Sequence, residues 1–185
     1  MSDADWAGDV HAVFREKGIR QIGTVPDAGL TRLLDLCNAD NAMRVMTLTR
    51  EDEGIGLVTG AWLGGERAAL LMQSSGVGNV INALSLPAVC KTPCLMLVTM
   101  RGQWGEANGW QVPMGRATPG VLEAIGTVCY PVEDAVDVGE TVSAAADMAF
   151  NGGIAAAVLV SQRVIGIKAF QAGVDKAFDT GGKVP

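Results

Sequence analysis

One histidine, His11, serves all 185 residues, and only 5% of them are aromatic. The scarcity of imidazole excludes a Ser-His-Asp hydrolase. No Gly-x-Ser-x-Gly elbow occurs, and His11 falls mid-way along the first predicted helix, at its surface or an interface, away from every strand end. A zinc site is excluded on similar grounds: Cys90-Lys-Thr-Pro-Cys94 has no second ligand pair, so no metal ligand is assigned to this chain. Cys37, Cys90, Cys94 and Cys129 each lie in or beside an apolar run and read as buried free thiols of a cytoplasmic protein. Lysine/arginine runs are missing, the net charge is −6 and stacking rings are few, which excludes nucleic acid and anionic membranes as partners. No apolar run reaches about 18 residues without a charge or a glycine break, so no membrane span is expected. Acids and Trp6 at the start of the chain do not fit a signal peptide.

What remains is apolar and small. Hydrophobic residues make up 49% and charged residues 18%, enough for one domain with a core on both faces of a sheet. Apolar positions at Trp6, Val10, Val13 and Phe14 have helical spacing. Strands are expected at 19–26, 43–49, 67–73, 93–100, 127–132 and 154–161, and helices at 29–38, 51–64, 76–90, 119–126 and 138–150. Residues 102–116 read as a long loop, and 169–185 as a frayed tail beyond a domain of 1–168. The strands are continuous apolar runs alternating with helices. The fold class is therefore α/β, a parallel sheet of about six strands with helices on both faces. Right-handed crossovers place the strand carboxyl ends along one edge, where open α/β sheets bind ligands.

Four stretches should meet there: Val25-Pro-Asp-Ala-Gly29, Thr49-Arg-Glu-Asp-Glu-Gly54, Gln73-Ser-Ser-Gly-Val-Gly-Asn79 and the segment 101–116. Each has two readings. Residues 73–79 could form a tight strand–helix turn, or a cradle for an anion or ring. They match neither the dinucleotide fingerprint, because Ile81 replaces the third glycine, nor a P-loop. Asp27 could cap the next helix. Arg101 could be a surface charge or an anion contact. Glu51, Asp52 and Glu53 could be acids suited to a helix start. The glycines behind them, Gly54, Gly56 and Gly60, each cost about 0.5–1 kcal/mol against alanine inside a helix and need a reason.

Taken in order, these stretches resemble the pyrimidine-binding domain of thiamine-diphosphate-dependent 2-oxoacid decarboxylases, and most nearly the sulfopyruvate and phosphonopyruvate branch. The resemblance covers about residues 5–165. It implies a thiamine-diphosphate-binding fold. It also implies that Glu51, nine residues before Gly60, is catalytic and hydrogen-bonds N1′ of the cofactor's aminopyrimidine. A carboxylate partner there favours the imino tautomer, whose nitrogen takes the proton from the thiazolium carbon. Gln73, Ser75, Gly76, Gly78 and Asn79 are implied to line the cofactor, and Asp27, Arg101 and Gln111 the substrate. Val112 stands where some relatives carry a histidine, so histidine-mediated proton transfer is not expected of this chain. No Gly-Asp-Gly occurs either. The resemblance therefore implies a hetero-oligomer in which a beta subunit holds Mg2+ and the diphosphate. The expected reaction is decarboxylation of a small anionic 2-oxoacid, 3-sulfopyruvate to sulfoacetaldehyde. Phosphonopyruvate or another 2-oxoacid, or a non-catalytic regulatory role, are the alternatives.

Overall fold

The computed structural model describes residues 4–166. The tail expected at 169–185 lies outside the described residues. Helix α1 (Trp6–Glu16) starts where the Asp5 carboxylate accepts the Gly8 N–H at 3.2 Å, so an N-cap acid sets its first turn. Its face of Ala7, Val10 and Phe14 is buried. Then follow β1 (Ile19–Thr24), α2 (Thr31–Ala39), β2 (Arg44–Thr47), α3 (Glu51–Leu63) and β3 (Arg67–Gln73). The chain continues through α4 (Ser74–Val80), α5 (Ser85–Cys90), β4 (Cys94–Thr99) and α6 (Val112–Ala124). The described residues close with β5 (Val128–Val132), α7 (Val138–Gly152), β6 (Ala155–Val160) and α8 (Gln162–Ile165).

All six strands pair in parallel, in the order β2-β1-β3-β4-β6-β5. Central strands β3, β4 and β6 are buried along almost their whole length, as strands covered on both faces must be. Helices α1, α2 and α7 close one face around Phe14, Leu33, Val142 and Leu97. Helices α3, α4 and α6 close the other around Ile55, Val77, Leu122 and Met96. Pro131 sits in β5, an edge strand, where a missing N–H is tolerated. Among the described residues no helix is long and apolar enough to cross a membrane.

Three expectations need correction. The helix expected at 76–90 is two helices, interrupted at 81–84. The interruption puts Pro87 in the first turn of α5, where its missing N–H breaks no bond. The loop expected at 102–116 is shorter: a 3-10 turn at Gly109–Gln111 leads into α6, which already begins at Val112. Pro119 reads as a start signal but lies inside that helix. Cys90 is exposed, whereas Cys37 and Cys94 are buried and Cys129 is half-buried. Burial pushes the Cys94 thiol up to about 12. His11 joins α1 to the end of α2, its Nε2 lying 3.0 Å from Asp40 Oδ2.

Candidate functional site

The residues leaving β1, β3 and β4 meet in a hydrogen-bonded cluster centred on Asp27. Its Oδ2 accepts the Gly29 N–H at 3.0 Å, which is the capping role. The same carboxylate also accepts Gln73 Nε2 at 2.7 Å and the Thr99 hydroxyl at 3.0 Å, and Arg101 Nη2 lies 3.3 Å away. Burial pushes the Asp27 carboxyl up, but the bonds from Gln73, Gly29 and Thr99 and the Arg101 charge outweigh it and hold the group below the ordinary carboxylate range. Arg101 is 2% exposed. Its guanidinium faces Asp27, and its Nε has no partner among the described residues. Gln73 passes the network on: its Oε1 accepts the Ser75 hydroxyl at 2.7 Å and Gln111 Nε2 at 2.9 Å.

Beside this cluster, α3 and α4 bring Glu51 and Asn79 together. Glu51 is the first residue of α3 and is 8% exposed. Its Oε2 accepts Asn79 Nδ2 at 2.7 Å. Its Oε1 has no hydrogen-bond partner among the described residues. A Cβ on Gly76 would overlap that oxygen and lie 2.6 Å from Glu51 Cγ, so the absent side chain makes the space in which the carboxylate sits. A Cβ on Gly78 would just touch Met114 Sδ, at 3.4 Å. The neighbouring acids do other work. Asp52 pairs with Arg50 at 3.2 Å, and Glu53 accepts the Thr49 N–H at 3.1 Å. These are helix-start contacts, and the Thr49 bonds lower the Glu53 pKa.

The glycines of α3 divide into two kinds. A Cβ on Gly54 would run into Leu70 of β3, so Gly54 lets the helix lie close on the sheet. Gly56 and Gly60 are exposed, with nothing within 4 Å of where a Cβ would stand. Gly60→Ala is therefore expected to stabilise the isolated chain by about 0.5–1 kcal/mol. Gly115→Ala is expected to cost about 1–3 kcal/mol by overpacking. A Cβ on Gly115 would collide with the Arg101 carbonyl oxygen, and the carbonyl carbon is 2.8 Å away. Urea titration of both variants measures the contrast; a stabilised Gly115→Ala protein would contradict it.

Sequence reasoning did not reach Thr99, Glu106 or Gln162. Thr99 ends an apolar strand and carried no signal. Gln162 Nε2 donates to Glu106 Oε2 at 3.0 Å across 56 positions of chain, a pairing of common residue types that no spacing announces. Among the described residues no group of three or more histidine, cysteine or acidic residues is arranged to hold a metal ion.

No family model matches the chain. It is 43% identical over 117 residues to the sulfopyruvate decarboxylase subunit alpha of Methanococcus maripaludis, covering 63% of this chain and 70% of that one. It is 36% identical over 152 residues to the subunit of the same name from Methanothermobacter thermautotrophicus, covering 82% and 92%. A phosphonopyruvate decarboxylase from Streptomyces viridochromogenes is 34% identical over 141 residues, 75% of this chain but 36% of that protein. Among solved structures, 2-oxoglutarate:ferredoxin oxidoreductase from Magnetococcus marinus superposes with a TM-score of 0.72 over 86% of this chain and 29% of that one. At 16% identity that likeness concerns the fold alone.

Proposed function

The chain belongs to the family of sulfopyruvate decarboxylase alpha subunits, and from that premise we propose that it is the pyrimidine-binding half of a thiamine-diphosphate-dependent decarboxylase. The reaction is 3-sulfopyruvate to sulfoacetaldehyde and CO2. The observation that carries this reading is the Glu51 carboxylate. One of its oxygens is held by Asn79, and the other is unpartnered in the space left by Gly76. A nearly buried carboxylate with one oxygen to spare suits a ring nitrogen that must gain and hold a proton. The residues present therefore fit the aminopyrimidine of thiamine diphosphate.

Thiamine diphosphate, when bound, supplies a thiazolium carbon that adds to the keto carbon and accepts the electrons released with CO2. Glu51 would hold the proton at the pyrimidine N1′. Asn79 fixes the carboxylate through Oε2, so that Oε1 would be left to meet the pyrimidine. Gln73, Ser75 and Gln111 border the substrate side, and Asp27 holds Gln73 in place. Arg101 keeps Asp27 ionised from beneath, and its side chain is too deeply buried to meet a substrate anion without moving. The protein's contribution is thus positioning and electrostatics.

Mg2+ and the diphosphate belong to a beta subunit. The seat for that partner is the exposed surface of α3 and α5, which carries Gly56, Gly60 and Leu63 on the first helix and Leu86 and Val89 on the second. These side chains are apolar and solvent-facing in the single chain, the kind of surface a partner covers. Phosphonopyruvate is the second candidate substrate, favoured by the Streptomyces relative. A purely regulatory role would leave the Glu51–Asn79–Gly76 arrangement without a use.

The test is reconstitution. The isolated chain with cofactor and Mg2+ is expected to release no CO2 from 3-sulfopyruvate, and the co-purified assembly is expected to turn over. Robust turnover by this chain alone would sink the divided site. Preference for phosphonopyruvate in a side-by-side assay would replace the substrate and keep the chemistry.

A further inference from the structure

We infer that Gln162, the first residue of α8, is a positioning residue that clamps the Arg101–Gln111 loop and through it sets the Gln111–Gln73 side of the site. What the loop does rests on the functional reading above; whether the clamp exists does not.

Gln162 is 1% exposed. Its Oε1 accepts two backbone donors, the Gln103 N–H at 3.0 Å and the Trp104 N–H at 3.1 Å. Its own N–H donates to Gln103 Oε1 at 3.1 Å, and its Nε2 donates to Glu106 Oε2 at 3.0 Å. Glu106 then accepts the Gly102 N–H at 3.3 Å and the Asn108 N–H at 2.9 Å. Four backbone donors of one loop thus end on two side chains. Among the described residues no backbone carbonyl accepts a hydrogen bond from an N–H between Arg101 and Trp110. Helix and strand normally satisfy such donors, and here Gln162 and Glu106 do it instead.

The two side chains are not interchangeable with isosteres. Burial pushes the Glu106 carboxyl up, but the Asn108 and Gly102 N–H groups, Gln162 and the Arg101 charge pull it down further, so it is a carboxylate that only accepts. Its partner must therefore donate on one side and accept on the other, which an amide does and a carboxylate or alkyl group does not. The loop so fixed runs from Arg101, under Asp27, to Gln111, whose Nε2 donates to Gln73. Releasing it lets Gln111 leave Gln73 without touching Glu51.

Amide hydrogen exchange on the isolated chain tests the clamp. Gln162→Ala is expected to speed exchange at Gln103 and Trp104 by about tenfold or more. In the reconstituted assembly the same variant is expected to raise KM about tenfold, with kcat within about threefold of wild type. Gln162→Glu sets carboxylate against carboxylate and should behave no better. Combining Gln162→Glu with Glu106→Gln restores a donor facing an acceptor and should recover part of both losses, which a packing role would not; recovery is partial because the Gly102 N–H shares Glu106 Oε2 and loses its acceptor. Unchanged exchange in Gln162→Ala overturns the clamp, and faster exchange with unchanged KM overturns its role in positioning. A wild-type assembly inactive on every 2-oxoacid would count against the functional reading, and the exchange result would still decide the clamp.

Discussion

Glu51→Gln lowers turnover of the reconstituted assembly by about 10²–10⁴-fold, or about 3–5.5 kcal/mol of barrier, while leaving the fold intact. The amide keeps the size of the side chain and an oxygen for Asn79 Nδ2. It loses the carboxyl group that can share a proton with the pyrimidine nitrogen. The defect should therefore appear in proton exchange at the cofactor's thiazolium carbon as much as in turnover, and both should be followed together. Glu53→Gln is the internal control. Glu53 lies two residues on, about 200° around the helix, and its carboxylate is occupied by Thr49. It should cost little. A crippled Glu53→Gln beside a healthy Glu51→Gln would place the cofactor contact on the wrong acid. Two healthy variants would reduce both residues to helix-start charges.

Arg101→Ala is expected to destabilise the chain by about 3–5 kcal/mol at neutral pH, because it strands a buried carboxylate. Wild-type Asp27 has a lowered pKa, held down against its burial by Gln73, Arg101, Gly29 and Thr99. A lowered acid contributes stability that is present above its unfolded value and lost as pH falls through the folded one. For Asp27 that loss occurs below the ordinary aspartate range. In the variant the guanidinium no longer helps to hold the pKa down, so the pKa moves up from its wild-type position and protonation relieves the penalty sooner. The gap between wild type and variant should narrow as pH falls from 7 toward about 4. Urea titration across that range measures it. A gap that stays constant with pH would mean that Arg101 contributes packing alone.

Much of this site was legible in the chain because strand-end loops must carry turn residues, and here they also carry polar side chains that a turn does not require. Gln73, Ser75 and Asn79 in one stretch, and Asp27 after Pro26 in another, mark an edge where the parallel topology brings them together. Depth was not legible. Arg101 at a strand end could face outward or lie beneath the loop, and its pairing with Asp27, 74 positions earlier, decides it. The start of α6 was hidden by Pro119, since a proline inside a helix looks like its beginning. The Gln162–Glu106 pairing was invisible because α6, β5, α7 and β6 lie between its members.

The strand order has a consequence for synthesis. β6 is the last strand among the described residues, yet it lies between β4 and β5. Until residues 155–160 leave the ribosome, β5 has no strand to pair with, and β4 presents an unpaired edge of six buried-type residues. The nascent sheet is thus an incomplete template whose apolar flank is the kind that recruits other chains. Insertion of Ala155–Val160 pairs two strands in one step, so completion should be abrupt rather than gradual. A stop codon placed after α7 would then leave an aggregating fragment rather than a smaller domain.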